Sequence, residues 1–318
     1  MAREGVAILA LAGLLVAAHL VALLLATPFI EADRQALPNP DAVTNALFYF
    51  VVILAFTAVV LFLVRKRREG VLKYVILGAI TITMLFVFSI PFELAFGFLP
   101  EPWANLAAIQ GTLLLSLGLA YALLKYPEWW VVDATGFAVA AGVTAILGIS
   151  FGILPALVFL IGLAIYDAIA VYRTKHMIAM ADAVTGLRLP ILLVVPKSLP
   201  YSFRTQPGLQ DELDEGTERA AMFMGLGDII IPGILVVSAF AFLDPLVTFS
   251  GVSAKLLVAL ATMLGTLLGF ALLMRFVLSG RPQAGLPLLN AGAILAYLLS
   301  YYLLYRDLGF GISFVLGL

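Results

Sequence analysis

Residues 220–243 read AAMFMGLGDIIIPGILVVSAFAFL, an apolar run long enough to cross a bilayer that carries a single charge, Asp228. A carboxylate at the centre of a spanning helix costs about 2.5–3.5 kcal/mol on insertion scales, so the fold must offset that penalty and the acid must have a use. The rest of the chain has the same character: of 318 residues, 63% are apolar and 12% charged, well outside the balance of soluble domains. It is an integral membrane protein. Its apolar runs are about 20 residues long without strict alternation, which specifies spanning helices rather than the strands of an outer-membrane barrel. The absence of cysteine excludes disulfides, thiolate metal sites and a cysteine nucleophile. With only His19 and His176, histidine chemistry is nearly excluded as well, and no metal or cofactor is expected. No glycine-rich nucleotide loop or basic stripe points to a nucleic-acid partner.

Charges, prolines and glycines cut the chain into nine candidate helices, at 6–30, 42–64, 71–98, 103–124, 131–149, 154–174, 220–243, 253–276 and 284–305. The sequence therefore reads as one all-α membrane domain over residues 1–318 with nine transmembrane helices. The first run is too long for a signal-peptide core and lacks a small-residue cleavage site, so it is read as a retained helix. Residues 134–166 hold no charge, and Gly148, Gly152 and Pro155 supply the turn that divides them into two spans. With the N-terminus cytoplasmic and the C-terminus outside, the inner segments hold fifteen Lys and Arg residues against three outside, Arg34, Lys255 and Arg306. That separation satisfies the positive-inside rule. Tyr126, Trp129 and Trp130 suit an interfacial aromatic belt, and the expected location is the cell membrane.

The inner connection, 176–219, is the one segment unlike a membrane helix. Its middle, LRLPILLVVPKSLPYSFRT, is rich in strand formers punctuated by Pro190, Pro196 and Pro200. Its end, QDELDEGTER, is acidic and expected to be solvated or disordered.

A second isolated acid, Asp167, lies in GLAIYDAIAVY of the sixth span. The sixth span runs inward and the seventh outward, and counting residues from their inner ends puts both acids roughly 10–12 Å below the cytoplasmic surface. Antiparallel neighbours can thus bring the carboxylates face to face. Two carboxylates a few ångströms apart cannot both ionise cheaply and share one proton. The ionised partner can then take a proton from a water while the protonated one hydrogen-bonds a scissile carbonyl. Gly225 and Gly227 leave room beside Asp228 for a substrate backbone or a partner helix. Pro232 removes the hydrogen bond to the Asp228 carbonyl and favours a kink. On the acids alone a proton-coupled transporter, using them as a relay, is the leading alternative; a purely structural pair is a weaker one. Gly265 and Gly269 have the spacing of a helix-packing pair.

These residues resemble the GxGD intramembrane aspartyl proteases, presenilin and signal peptide peptidase. The resemblance rests on Tyr166–Asp167 in the sixth span, GLGD at Gly225, Leu226, Gly227 and Asp228 in the seventh, and GLPLLN opening the ninth. It implies a nine-helix presenilin-like bundle, a multi-pass aspartic endopeptidase acting on transmembrane helices within the lipid bilayer, and catalytic Asp167 and Asp228. Tyr166, Gly225, Leu226, Gly227, Pro287, Leu288 and Leu289 are implied to support the active site or bind substrate. The family's Pro-Ala-Leu motif reads Pro287-Leu288-Leu289 here, so the middle position departs from the pattern. The inner N-terminus is similar to presenilin, whereas signal peptide peptidases insert the other way. Short loops and the lack of cysteine look like a compact archaeal homologue. A homo-oligomer stays open. A substrate helix must unwind to expose its peptide bonds, and the ILLVV stretch of the inner connection then offers a strand for it to join; an ordinary loop is the alternative.

Other chemistries fit less well. GISFG at 148–152 matches a serine-nucleophile pattern but falls in a turn between membrane helices, far from a histidine partner. The zinc-protease motif H-E-x-x-H is absent. Prepilin peptidases also use a GxGD aspartate but carry a cytoplasmic cysteine domain, which this chain lacks. His19 is expected to be packed and hydrogen-bonded within the bundle, Glu93 to lie near the outer interface, and Asp133 and Asp244 to sit at helix ends. Asn290 is expected to donate a hydrogen bond between helices.

Overall fold

A computed structural model of the chain describes residues 2–66, 68–174, 189–197, 201–203, 220–278 and 283–312. Among them are nine α-helices: α1 (Ala2–Glu31), α2 (Val43–Arg65), α3 (Glu69–Phe96), α4 (Trp103–Lys125), α5 (Trp129–Ser150), α6 (Ile153–Ile169), α7 (Leu226–Phe242), α8 (Ala254–Val277) and α9 (Gly285–Tyr305). All but α7 are long and apolar enough to cross a membrane. Helix α6 continues into a π-helical turn, Ala170–Thr174. The strand-prone part of the inner connection forms β1 (Leu192–Pro196), and the acidic stretch 210–219 and His176 lie outside the described residues.

One element departs from the expected span. Residues Ala221–Gly225 are not the start of a helix but a strand, β2, paired antiparallel with β1 from Leu192 opposite Gly225 to Pro196 opposite Ala221. Helix α7 begins only at Leu226 and has 17 residues. Its shortness follows from the pairing: a backbone already bonded to β1 cannot also make the i to i−4 bonds of a helix. The depth count that placed Asp228 about two turns into a helix therefore fails, because Asp228 lies in the first turn of α7.

The single membrane domain expected from the sequence is made of two compact units. The first comprises Met1–Leu11, Ala58–Val143 and Ile178–Leu226. Within it α3 packs on α4, with the Phe92 ring over Gly111, and the Val87 side chain of α3 occupies the space left by Gly142 of α5. The β1–β2 pair belongs to this unit, with Leu193, Val194 and Ala221 in the core.

The second unit comprises Ala12–Thr57, Thr144–Met177 and Gly227–Leu318. Here α8 and α9 meet through Gly265, Gly269 and Gly292, where the backbones approach so closely that a Cβ at any of the three would overlap the opposite helix. Helix α9 also packs on α6, where Asn290 donates its amide N–H to the Leu160 carbonyl at 2.8 Å. The Gly148 of α5 receives Val237 of α7. A short hairpin, β3 (Thr248–Phe249) with β4 (Val252–Ser253), turns through Ser250 and Gly251 at positive φ of 52° and 81°. That is the mirror-image turn that matches strand twist, and glycine takes its second position without strain.

Helix α2 shows how the chain meets lipid. It has the highest hydropathy of the spans, 3.0, yet only 6% of its most apolar window is buried in protein. Leu47, Phe48, Val51 and Phe62 point outward, which is sensible only beside acyl chains.

Candidate active site

Asp167 and Asp228 both belong to the second unit, and both reach the same short piece of backbone, the start of α9. Asp167 is in the last turn of α6 and 8% exposed. Its Oδ2 accepts the Leu286 N–H at 3.1 Å. The residue before it, Gly285, lies against the other acid: a Cβ built there would stand 3.1 Å from Asp228 Oδ1 and 3.4 Å from its Cγ. Gly285 and Leu286 are therefore the common floor of the two carboxylates.

The local sequence explains why α9 begins in this way. The first N–H groups of a helix have no intrahelical partner, and Ala284, the residue at the cap position, has no side chain to offer. Asp167 supplies that acceptor from α6. In return, both acids face the end of α9 where aligned peptide dipoles present positive charge. Pro287, the third residue of α9, fits because its missing N–H is one a first-turn residue does not need. Leu289 is fully buried, and the Leu288 carbonyl is pressed against Gly269 of α8, so the Pro287–Leu289 segment is held from behind by a helix with no side chain at that point.

Asp228 gains a second dipole, that of its own helix, since an acid in a first turn is well placed. Pro232 has no N–H to give the Asp228 carbonyl. Gly227 is exposed and Leu226 buried, while Gly225 ends β2, so the GLGD sequence is the junction of a strand and a helix. The Tyr166 ring lies edge-on to Phe50 of α2 at 6.2 Å.

Three contributors were not singled out as site residues by the sequence. His19, fully buried in α1, donates Nε2–H to the carbonyl of Ile229, the residue after Asp228, at 2.8 Å. Its ring fills the space at Gly233, where a Cβ would sit 2.7 Å from Nε2. Its presence inside a spanning helix was the available signal, since buried polar groups in membranes are rarely idle. Tyr172, in the π-helical turn after Asp167, donates its hydroxyl to Gln283 Oε1 at 2.9 Å and so steadies the approach to α9. Gly285 opened the GLPLLN stretch unnoticed because closeness to Asp228 is a long-range property. The serine pattern proves structural: Ser150 accepts the Ala36 N–H at 2.7 Å.

Comparison with known proteins identifies the family. The family model described as signal-peptide peptidase, presenilin aspartyl protease matches residues 12–305. Two solved structures of a presenilin family intramembrane aspartate protease, in space groups C222 and P2, are similar to the chain. The first has 36% identity over 93% of this chain and 99% of its own, with a TM-score of 0.66. The second has 35% identity over 93% and 97%, with a TM-score of 0.63. No curated protein matches. These matches overturn the transporter reading of the two acids, because they are to proteases along nearly the whole chain. The chain belongs to the signal-peptide peptidase and presenilin family of aspartyl proteases, and it is a multi-pass membrane enzyme that cleaves peptide bonds within the bilayer.

Proposed function

We propose that Asp167 and Asp228 are the catalytic carboxylates of this protease. The observation that carries the assignment is their convergence on Gly285 and Leu286, one through a hydrogen bond and the other through van der Waals approach. One carboxylate, ionised, takes a proton from a water as the water attacks the scissile carbonyl carbon. The other, protonated, gives its proton to the carbonyl oxygen; as the tetrahedral diol collapses, the first carboxyl hands the water's proton to the leaving amine and the second recovers its own from a diol hydroxyl. Pro287, Leu288 and Leu289 hold the floor of the site, and Gly225, Leu226 and Gly227 deliver the backbone to Asp228. Tyr166 supports α6 through Phe50. The enzyme works with its N-terminus on the cytoplasmic side of the cell membrane, a reading supported by the distribution of Lys and Arg.

The substrates are transmembrane segments, whose peptide bonds are shielded while helical. We infer that an unwound segment joins the β1–β2 sheet as a third strand at β2. In residues 191–195, the strand expected to offer this pairing, Leu193 and Val195 turn their amides inward to β2, and of the outward amides Val194 already donates to Asp133. The outward positions of β2 are Ala221, Phe223 and Gly225, and α7 with Asp228 follows directly.

The test is cleavage of a purified one-span peptide in bicelles by the parent enzyme and by Asp167→Ala and Asp228→Ala. Fragments from the parent alone are expected. Fragments from either variant at the parent rate would overturn the assignment.

A further inference from the structure

Asp133 is a buried acid that takes no part in the proposed hydrolysis. It lies in the first turn and a half of α5, 9% exposed, and its Oδ1 accepts the Val194 N–H at 2.7 Å. The ladder shows which way that amide points. Lys197 N–H donates to the Ala220 carbonyl and Leu226 N–H to the Ile191 carbonyl, so the hydrogen-bonded positions of β1 are 191, 193, 195 and 197. Positions 192, 194 and 196 turn outward, away from β2. Pro196 has no N–H, which leaves Leu192 and Val194 as the outward donors of β1, and Asp133 holds one of them. The outward amides of β2, at 221, 223 and 225, make no such bond among the described residues.

Helix α5 also seats the sheet mechanically. At Gly136, close to Asp133 along α5, a Cβ would stand 3.2 Å from Leu193 Cδ2 and 3.4 Å from Leu226 Cδ2. The same helix therefore holds β1 and the first residue of α7.

We propose that Asp133 is a positioning residue that selects the productive binding edge by closing the outer edge of β1, so that an unwound peptide is accepted only at β2. This rests on the strand-addition reading given above. A peptide adding to β1 must displace that carboxylate and still meets no donor at Pro196. The distinction matters for chemistry: a strand on the edge of β2 lies about 5 Å from the segment that continues into Asp228, whereas one on β1 lies about 10 Å from it. The second is bound but not cleaved.

Opening the β1 edge therefore creates unproductive binding, which lowers kcat and KM together and leaves kcat/KM unchanged. In Asp133→Ala, with a one-span peptide in bicelles, both constants are expected to fall several-fold by the same factor. In Asp133→Asn, whose amide oxygen still accepts the Val194 N–H, both should stay near the parent values. A fall in kcat alone, matching a smaller folded fraction, would mean Asp133 only stabilises the protein and would overturn the proposal. A second measurement avoids that variant: hydrogen exchange of Asp228→Ala enzyme with the uncleaved peptide bound. New protection at 221–225 with none at 192–196 is expected, and new protection at 192–196 would refute edge selection by Asp133. If neither segment gains protection, strand addition itself fails, and the proposal falls with it.

Discussion

Gly285→Ala separates catalysis from stability at the site. The added Cβ would stand 3.1 Å from Asp228 Oδ1, where ordinary contact begins near 3.4 Å, so the carboxylate must yield by about 0.3 Å. Misplacing a reacting group by 1 Å costs about 10²-fold, and scaled in proportion this shift lowers kcat about four-fold, roughly 0.8 kcal/mol. The backbone has no reason to change, since the Leu286 N–H still finds Asp167. Alanine in a helix is favoured over glycine by about 0.5–1 kcal/mol, so the melting temperature should hold or rise while activity falls. Gly285→Val, with two further carbons towards Asp228, should lose activity far more steeply. The assay is steady-state cleavage of a one-span peptide in bicelles, paired with thermal unfolding of the same preparations. Parent-level kcat in Gly285→Ala, or activity and melting temperature falling in step, would refute the claim that Gly285 makes room for Asp228.

The other expectations concern elements around the site. Gly292→Val drives a side chain into the Gly265 backbone and should destabilise the α8–α9 contact by about 1–3 kcal/mol, read as a lower thermal midpoint. His19→Leu removes the donor to the Ile229 carbonyl and should cost about 0.5–1.5 kcal/mol of stability, with His19→Gln restoring part of it; equal midpoints would show the bond to be idle. Phe223→Pro deletes one outward amide of β2 without touching the bonds to β1, and should slow cleavage about 2–10-fold beyond Phe223→Ala; equal rates would count against strand addition.

Much of this was legible in the sequence, for a physical reason. A lone carboxylate in an apolar run is expensive, and expense is visible without a structure: Asp167 and Asp228 stand out by that measure alone. The spans were equally plain, because hydropathy over about 20 residues is a local property. What the sequence could not display were long-range pairings. Ala221–Gly225 is as apolar as any helix start, and only β1, some thirty residues earlier in the chain, makes it a strand. Asp133 read as a charge at a helix end, where exposure is cheap, but it is buried and holds Val194, 61 residues away. Nothing local to Gly285 signals that Asp228 lies beside it.

The strand in place of a helical turn also answers what offsets the cost of Asp228. Had 220–225 been helical, the acid would have lain about two turns inside α7, among backbone groups already bonded to one another. With the strand, α7 starts at Leu226, and Asp228 stands where first-turn N–H groups lack partners and the helix dipole is positive. The start of α9 presents a second positive end to the same carboxylate through Gly285. Non-helical backbone is tolerated at membrane depth only where protein or water satisfies it, and β1 supplies that satisfaction for the inward side of β2. Its outward amides make no backbone bond among the described residues, which is the capacity an unwound peptide can use. The departure from a continuous helix thus lowers the cost of the acid and, on the strand-addition reading, supplies the edge on which the substrate is held beside it.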